Sequence, residues 1–515
     1  MKRALPVTRE DNFPEWYQAV VDQADLAETS PVRGCMIIKP WGYGIWELVQ
    51  ASLDADIKRT GHENCYFPLF IPLSFIAQEA SHVEGFAKEM AVVTHHRLKA
   101  VDGKLVVDPA SELEEPLVVR PTSETIIGDA FRRWVASYRD LPILINQWAN
   151  VVRWEMRTRM FLRTTEFLWQ EGHTAHADKA DALEETLKML EVYRALAEDV
   201  LAMPVVVGEK PENERFPGAD STFSIEAMMQ DGKALQAGTS HYLGTNFAEA
   251  QNIRFQGANG ELTYCHTTSW GVSTRLIGGV IMTHGDDDGL RLPPRIAPKQ
   301  IVIVPMLREK PEDAEVLAYC EKLKLELDKL TAFGAPLRAH LDKKPGKATN
   351  KRWDWVRRGA PILLEVGPRD AAGDAVTMIR RDKLRDGDKV LSQAVGREAF
   401  LQQAPGLLVE IQANLFAEVK ARLDANISSD LTTFEAIAEY FGKATEDDEK
   451  GGAFKGWVRA PWAKPTGAEL EQVETRLKAL KLTLRNAPVE QSGKAAVCVF
   501  TGRPAVEEIL IARSY

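Results

Sequence analysis

Residues Val151–His173 read VVRWEMRTRMFLRTTEFLWQEGH and thread arginine and glutamate through large apolar side chains. Around Trp154, and again over residues 167–169, the apolar residues predict buried strand. Buried arginine is tolerated when a planar anion fills its fork, because guanidinium matches carboxylate or phosphate with two hydrogen bonds. Two such strands joined by an arginine-bearing turn predict the floor of a nucleotide site. The alternative is an internal salt-bridge network, since charge-laced strands often pair with themselves.

The length and composition predict an ordinary globular protein of about three domains. The chain has 515 residues, of which 45% are apolar and 27% are charged, and a domain takes roughly 150 residues. The formal charge is 64 minus 74, or −10, which does not indicate a nucleic-acid binder. An acidic total is still compatible with nucleic-acid binding, because counterion release depends on the face that contacts phosphate.

Cysteine usage and hydropathy favour a cytoplasmic protein. The five cysteines, at positions 35, 65, 265, 320 and 498, are scattered and odd in number, which argues against a disulfide framework and fits a reducing compartment. The first residues lack the apolar core of a signal peptide. No uncharged apolar run of about twenty residues is present, so no membrane span is expected.

Proline placement and hydrophobic periodicity divide the chain. Helices are predicted over Pro14–Leu26 and Gly44–Lys58 from apolar residues on one stripe. The proline-rich stretch Leu292–Pro298 reads as a linker. Alternating strand and helix patterns then predict a small α/β domain with a mixed sheet, and the pattern breaks near Pro405. The predicted units are residues 1–296, 297–404 and 405–515. The alternating segments are Gln300–Pro305, Glu312–Leu330, Leu337–Leu341, Asn350–Arg358 and Ile362–Val366.

The stretch from Arg153-Trp-Glu155 to Arg163-Thr-Thr-Glu-Phe167 resembles motif 2 of the class II aminoacyl-tRNA synthetases. Together with Trp169–His173, it is similar to the prolyl-tRNA synthetases (class IIa) of the archaeal and eukaryotic type. Further matching phrases follow in the family's order: Phe13-Pro-Glu-Trp-Tyr17, Arg120-Pro-Thr-Ser-Glu124, Gln236-Ala-Gly-Thr-Ser-His241, Ser269-Trp-Gly-Val-Ser-Thr-Arg275, Leu292-Pro-Pro-Arg295, Glu365-Val-Gly-Pro-Arg-Asp370 and Ala512-Arg-Ser-Tyr515.

The resemblance implies an α+β protein. An antiparallel-sheet catalytic domain with helices would span residues 1–296, followed by an α/β anticodon-binding domain and a C-terminal α/β domain. The Gly44–Lys58 helix feeding Cys65–Pro72 resembles motif 1, which forms a homodimer interface in that family. The alternative for this element is a core helix plus an edge strand.

The resemblance also assigns an ATP site. Arg153 would bridge the substrate carboxylate and the α-phosphate, and Phe167 with Arg275 would sandwich adenine. Glu155 would accept the adenine amino group. The remaining ATP contacts implied are Arg163, Thr164 and Ser273 on the nucleotide, with Gln236 and Thr239 near the phosphates and Mg²⁺.

A proline site needs an oxygen acceptor for two N–H bonds and a shallow apolar wall. In the family pattern these are supplied by Thr122, Glu124, Arg153, Trp169, Glu171, His173, His241 and Ser269. Each histidine taken singly is more often a satisfied core or surface group. His173 and His176 have the spacing of metal ligands but no third ligand nearby.

The basic run from His340 to Arg358 is the candidate tRNA contact, with Trp353 and Trp355 interleaved as planes for unstacked anticodon bases. A solvated charged face is the alternative. The family's position for an arginine is Leu363 here, which puts individual base contacts in doubt. The anticodon candidates are Lys347, Lys351, Arg352, Glu365 and Arg369.

Two absences are predicted. Only about a hundred residues separate His173 from Ser269, which leaves no room for the editing insertion of bacterial-type relatives. Many relatives bind zinc in the C-terminal domain through four cysteines, whereas this chain has only Cys498 after His340. Asn486 and Thr501 stand at two of the four positions. Apolar packing is expected instead, with Trp457, Trp462, Leu477, Leu480, Val497, Val499, Ile509 and Ile511 as core.

Two alternatives stay open on sequence alone. A sister class IIa enzyme for threonine or serine would lack the Trp169–His173 wall, and the threonine enzyme would use a zinc site of Cys and His. A catalytically dead paralogue would act as a tRNA-binding or regulatory module. Arg153, Arg163 and Arg275 count against that paralogue, because decay usually removes phosphate ligands first.

Overall fold

A computed structural model describes residues 4–78, 90–442, 455–493 and 496–515. Helix α1 begins at Phe13, where Asn12 caps it by accepting a hydrogen bond from the Glu15 amide at 3.1 Å. The helices up to residue 296 are α1 (Phe13–Gln23), α2 (Pro40–Arg59), α3 (Leu73–Gln78), α4 (Glu124–Trp134), α5 (Lys179–Ala195), α6 (Asn246–Gln251) and α7 (Arg275–His284).

The strands of the same region form one large sheet and several small ones. They are β1 (Ala27–Thr29), β2 (Met36–Ile38), β3 (Glu63–Asn64), β4 (Phe70–Pro72), β5 (Ala91–His95), β6 (Leu98–Val101), β7 (Lys104–Val107), β8 (Glu112–Val119), β9 (Ile143–Val152), β10 (Glu166–His176), β11 (Val205–Glu209), β12 (Ser221–Met228), β13 (Ala234–Gly244), β14 (Arg254–Gln256), β15 (Leu262–Tyr264) and β16 (His266–Ser273).

The central sheet positions the site. Its order is β11-β12-β13-β16-β10-β9-β3, antiparallel throughout except for the β3–β9 pair. Helices α2, α5 and α7 pack on it through a core that includes Trp46, Tyr193 and Trp270. The expected antiparallel catalytic sheet is therefore confirmed.

The Trp154 prediction is corrected. Strand β9 ends at Val152, and Trp154 lies in the following loop with 49% of its surface exposed. The loop carries five charged residues between 153 and 163, which solvent accommodates and a sheet interior would not.

The second region is a five-stranded mixed sheet, as predicted. The order is β20-β17-β21-β22-β25, with the first three strands parallel and the last two antiparallel. Its elements are β17 (Ile301–Pro305), α8 (Asp313–Leu327), β18 (Thr331–Ala332), β19 (Ala335–Pro336), β20 (Ala339–Leu341), α9 (Ala348–Arg358), β21 (Ile362–Val366), α10 (Pro368–Ala372), β22 (Ala375–Arg380), β23 (Arg385–Asp386), β24 (Lys389–Val390) and β25 (Gln393–Gly396).

The break expected near Pro405 is absent. Helix α11 (Arg397–Ala425) runs through it with Pro405 inside, so the predicted boundary between residues 404 and 405 falls within one helix. The remaining elements are β26 (Ile427–Ser428), α12 (Phe434–Phe441), β27 (Trp457–Trp462), α13 (Gly467–Lys478), β28 (Thr483–Leu484), β29 (Ala487–Pro488) and β30 (Glu507–Ala512). Division into three domains stays a prediction.

The C-terminal region packs on apolar side chains, with one correction. Trp462, Leu477, Ile509 and Ile511 are buried together, and Leu480 and Val499 pack partly buried against them. Val497 is 57% exposed and lies outside this core, because it sits in a loop rather than a strand of the sheet. Trp457 is buried in a separate cluster with Met228, Ala234, Leu423, Leu510 and Ala512.

One strand of the C-terminal region also extends the central sheet. Strand β29 pairs antiparallel with β11, so that Gly208 faces Pro488 and Glu209 faces Ala487. Strand β11 is therefore covered rather than left as an open edge. Within the described ranges, no helix has the length and apolar character needed to cross a membrane.

Candidate functional site

The floor of the site is built by alternate residues of β10. Successive side chains of a strand point to opposite faces, so Phe167, Trp169, Glu171 and His173 share one face. Neighbouring strands add facing positions in register: His173 pairs with Ser269 of β16, and Ser269 pairs with His241 of β13. Alternate residues of one strand thus place four side chains on the face that carries the site.

Two adjoining cavities of about 240 Å³ each lie on this face. Arg153, Phe167, Ser273 and Arg275 line both and form the wall between them. All residues predicted for the proline and ATP sites line one cavity or the other. The first is lined by Thr122, Glu124, Trp169, Glu171, His173, Gln236, Thr239, His241 and Ser269, and the second by Glu155, Arg163 and Thr164.

A buried carboxylate–imidazole pair lies in the first cavity. His173 Nε2 lies 2.9 Å from Glu171 Oε2, and both side chains are almost fully buried. Ser123 Oγ donates to Glu171 Oε1 at 2.5 Å, and Gln147 Nε2 donates to the same oxygen at 2.8 Å. Glu171 is therefore fixed by three neighbours.

Charge pairing sets the protonation of this pair. Burial opposes charging His173, but the hydrogen bond and charge of Glu171, aided by Glu124, raise its pKa above the ordinary 6.5. Burial likewise opposes ionising Glu171, but His173 and the two neutral donors lower its pKa. Both shifts favour the charged form of the pair, an imidazolium beside a carboxylate.

His241 is in the opposite state. Burial, together with the charge of His173, lowers the pKa of His241 to about 3. Its Nδ1 lies 3.0 Å from Thr222 Oγ1, and its ring centroid lies 4.7 Å from that of Phe216. His241 is a neutral wall of the cavity.

Arg153 stands at the junction of the two cavities. Its Nε donates to the Pro121 carbonyl at 3.0 Å. Its guanidinium carbon lies 5.7 Å from the Phe167 ring centroid and 5.6 Å from that of Trp169. The stem is therefore anchored by backbone and aromatic faces, which orients the guanidinium between the two cavities.

The second cavity gathers positive charge. Arg275 Nε donates to the Leu162 carbonyl at 3.1 Å, and Arg163 lies 3.5 Å from Glu155. Burial, then the charges of Arg163 and Arg153, lower the pKa of Arg275 to about 10. Like-charged guanidinium groups held together in this way favour an anionic ligand.

A β-bulge shapes the wall nearest Gln236. Along β12, Ile225 pairs with Gly238 while Glu226 pairs with Gln236, so Ala237 is the extra residue. Bulges re-aim side chains beside active sites. Both Gln236 and Thr239 line the first cavity as a result.

Two family models match parts of this chain. Residues 106–284 match the family model described as "tRNA synthetase class II core domain (G, H, P, S and T)", and residues 300–398 match "Anticodon binding domain". A proline--tRNA ligase of Sphingomonas elodea is 64% identical, with all of both chains covered, and one of Sphingopyxis alaskensis is 63% identical over all of this chain and 96% of its own.

This chain belongs to the proline–tRNA ligase family. Crystal structures of prolyl-tRNA synthetase from Cryptosporidium parvum agree. The complex with halofuginone and AMPPNP superposes with a TM-score of 0.87 at 35% identity, and covers 99% of this chain and 97% of that one. The complex with L-proline and AMP gives 0.86 at 34% identity with the same coverage. The alternative of a threonine or serine enzyme is therefore set aside.

Several cavity residues of this ligase-family chain escaped the sequence analysis. The segment after the short helical turn Glu212–Glu214 supplies Arg215 and Phe216. The Phe216 ring packs at a tilt against His241 and stacks on Phe247. Nothing in the local pattern distinguishes this loop from any solvated turn. The other unpredicted lining residues are Glu214, Thr222, Ala237, Gly238, Trp270, Gly271 and Val272.

The anticodon candidates divide into exposed and internal side chains. Lys347 and Arg369 are exposed. Arg352 makes a two-pronged ion pair with Glu365 at 2.6 and 2.7 Å. Lys351 requires correction: it is 6% exposed and donates to the Asp342 carbonyl at 3.0 Å, so its ammonium is withdrawn from any tRNA phosphate.

Trp355 requires the same correction. It is 7% exposed and its Nε1 donates to Asp342 Oδ2 at 2.9 Å. Trp355 is buried because it lies on the inner face of α9. Trp353, two residues earlier, lies on another face and is half-buried, with the Arg385 guanidinium 4.9 Å from its ring centroid. Trp353 alone remains a candidate stacking plane.

Proposed function

We propose that this chain activates L-proline with ATP to prolyl-adenylate and then transfers proline to the 3′ end of tRNA-Pro. The observation that carries the proposal is the position of Arg153, on the wall between a cavity holding the Glu171–His173 pair and a cavity lined by Arg163 and Arg275. An amino acid bound in the first cavity would present its carboxylate to a nucleotide phosphate at that wall.

Arg153 would serve the activation step by charge and orientation. A proline carboxylate oxygen attacks the α-phosphorus, a new O–P bond forms, and the bond to the bridging oxygen breaks to release pyrophosphate. Negative charge gathers at phosphorus, so a preoriented guanidinium stabilises it more than it stabilises the bound substrates. No covalent nucleophile is needed, because alignment and charge stabilisation carry the reaction.

The nucleotide contacts follow from the second cavity. Phe167 and Arg275 would hold the adenine between them, and Glu155 would accept its amino group. Arg163, Thr164 and Ser273 would bind the phosphates and ribose side. The rings and charges lining this cavity suit a planar base joined to an anion.

Proline recognition is assigned to the first cavity. Its secondary ammonium has two N–H donors, and Thr122, Glu124 and Glu171 offer oxygen acceptors there. Ser269 Oγ and Trp169 Nε1 are buried with no hydrogen-bond partner among the described residues, and both line this cavity. Unsatisfied buried polar atoms at a cavity surface fit a bound polar ligand. The faces of Trp169 and His241 would bound the ring.

The donor set near Gln236 fits Mg²⁺ carried by ATP. Magnesium prefers oxygen ligands and is usually held by few protein groups together with substrate phosphates. Gln236 and Thr239 would hold it, through an amide and a hydroxyl oxygen, and the ion would neutralise charge on the departing pyrophosphate. The described residues contain no cluster of three or more His, Cys, Asp or Glu side chains suited to a metal.

We assign the chain to the archaeal and eukaryotic type without an editing insertion. Between β10 and β16 the chain forms α5, sheet strands β11–β13, α6 and the β14–β15 hairpin. Every one of these elements belongs to the catalytic unit or packs on it. The near-complete overlap with a eukaryotic structure supports the same subtype.

A homodimer through motif 1 is part of the proposal. Large apolar side chains remain exposed around β4 and the β6–β7 hairpin, including Tyr66 at 74%, Leu98 at 58% and Leu105 at 73%. Exposed large apolar side chains are common at interaction surfaces. The chain's scattered thiols, none in a disulfide among the described residues, support a cytoplasmic location.

For tRNA, we propose that Lys347 and Arg369 contact the anticodon arm, with the Arg352–Glu365 pair and Trp353 beside them. Lys347 is the N-cap residue of α9, and both basic residues are exposed. Aminoacylation of a tRNA-Pro transcript with labelled proline tests the whole function. Acid-precipitable proline that depends on ATP and on that tRNA is expected, and none would refute it.

A further inference from the structure

A buried charged cluster joins the C-terminal region to the wall of the ATP site. Glu226 of β12 has no exposed surface and lies between two cations. Lys210 Nζ is 2.9 Å from Glu226 Oε1, and Arg485 donates to Glu226 Oε2 through Nε at 3.2 Å and a terminal nitrogen at 2.8 Å. Arg485 belongs to the segment between β28 and β29.

The neighbouring Asn486 enters the same strands. Its Nδ2 lies 3.1 Å from the Val206 carbonyl and 3.2 Å from both the carbonyl and Oγ of Ser224. Ser224 Oγ in turn donates to Glu226 Oε1 at 3.1 Å. At Gly208, β29 approaches so closely that an added Cβ would collide with the Ala487 carbonyl. Arg485 and Asn486 thus bind residues of β11 and β12 through hydrogen bonds and an ion pair.

Glu226 and Ser224 lie directly across the strand pair from Gln236 and Thr239, the residues proposed to bind phosphate and Mg²⁺. Glu226 pairs with Gln236, and Ser224 pairs with Thr239, across the bulge at Ala237. Paired residues of antiparallel strands project to the same face with Cβ atoms about 5 Å apart. A displacement of Glu226 or Ser224 therefore moves Gln236 or Thr239.

Electrostatics link the cluster to the second cavity as well. The pKa of Arg275 is set mainly by burial and by the neighbouring arginines, and the charges of Glu226 and Arg485 also act on it. Lys210 and Arg485 flank the Glu226 carboxylate, and the charge of Glu214 also acts on Lys210.

We infer that Arg485 and Asn486 are positioning residues for ATP, acting through Glu226 and Ser224 on the bulged strand that carries Gln236 and Thr239. The C-terminal region thereby completes the nucleotide site without touching substrate. This inference rests on the proposed function, since ATP must be the ligand of that wall.

The test separates ATP kinetics from proline kinetics. Arg485→Met keeps the bulk and removes the charge. Pyrophosphate exchange is measured with ATP and proline varied separately, after active-site titration corrects for unfolded protein. Residues that orient a ligand-binding group typically cost about 10- to 100-fold when lost. We expect kcat/KM for ATP to fall at least about tenfold, while KM for proline stays within about twofold.

A matched control lies in the same region. Arg459 makes an equally close pair with Glu508, at 2.7 Å between β27 and β30, and neither partner belongs to β11 or β12. Arg459→Met should leave the ATP parameters unchanged. If Arg485→Met does not fold, Asn486→Ala and the charge-retaining Arg485→Lys replace it, with a smaller effect in the same direction expected.

Three outcomes decide the inference. Selective loss for ATP in the Arg485 and Asn486 variants supports it. Normal ATP parameters in a folded variant, or equal loss for ATP and proline, overturn it. Absence of proline-dependent exchange in the unaltered protein would instead refute the proposed function, which keeps the two failures distinct.

Discussion

Glu171 and His173 form a buried ion pair, with 2.9 Å between Oε2 and Nε2, two residues apart on one face of β10. Neither group would remain charged alone at such depth, because desolvation penalises an isolated ion. Together with Ser123 and Gln147 they hold a carboxylate of fixed orientation at the floor of the first cavity. Such preorganisation suits a small zwitterionic substrate.

The pH dependence of proline binding should follow His173. Since Glu171 raises the pKa of His173, the imidazolium persists through the ordinary histidine range and is lost only at higher pH. KM for proline should rise in more alkaline buffer, when the buried Glu171 carboxylate loses its counter-charge.

His173 also stabilises the fold. Its contribution to the free energy of unfolding is complete below the pKa that His173 has in the unfolded chain, and is lost as pH rises through its raised pKa in the folded protein. His173→Asn should abolish the alkaline rise in KM. His176 provides the control, because it lies on the same strand as His173, pairs with Asp181 at 2.6 Å and lines neither cavity. The His176→Asn variant should keep the alkaline rise in KM. A KM profile that follows His176 would contradict the assignment.

Arg153→Ala should lower proline activation by about 10² or more, because one preoriented donor to developing charge typically contributes that much. The measurement is pyrophosphate exchange at saturating substrates. Arg157→Ala is the control, since Arg157 is exposed in the same loop and lines neither cavity. An Arg153 variant within a few-fold of the unaltered protein would show that motif 2 has been misassigned.

Alanine should be activated slowly and not cleared. A smaller amino acid cannot be excluded sterically, and a missing methylene costs only about 1–3 kcal/mol. With only sheet strands, α5, α6 and a hairpin between β10 and β16, no separate hydrolytic unit is expected. The assay is release of free alanine from preformed Ala-tRNA-Pro. Rapid deacylation by the purified protein would disprove the absence of editing in cis.

The C-terminal region should fold without zinc. A structural zinc site needs four N or S ligands, and after His340 the chain offers only Cys498. Asn486, at one of the family's ligand positions, instead donates to catalytic strands. Elemental analysis should find no stoichiometric zinc, and a chelator should leave the melting temperature unchanged. A drop in that temperature would show that a metal stabilises the fold.

The resemblance named most of the residues that line the two cavities, because the family's matching phrases are local in sequence. Alternation along Phe167–His173 places four side chains on one face whatever surrounds them. The C-terminal contribution was not predictable, because Arg485 meets Glu226 across 259 positions of chain. Lys351 and Trp355 were misjudged for a related reason: composition shows charge and aromaticity, whereas the phase of α9 against Asp342 decides which side chains turn inward.

The central claim is that the first cavity selects proline for activation by ATP. Pyrophosphate exchange measured with each of the twenty amino acids tests it most directly. We expect strong ATP-dependent exchange with proline, weak exchange with alanine and background exchange with the other amino acids. Exchange that is independent of proline, or that another amino acid supports better, would contradict it.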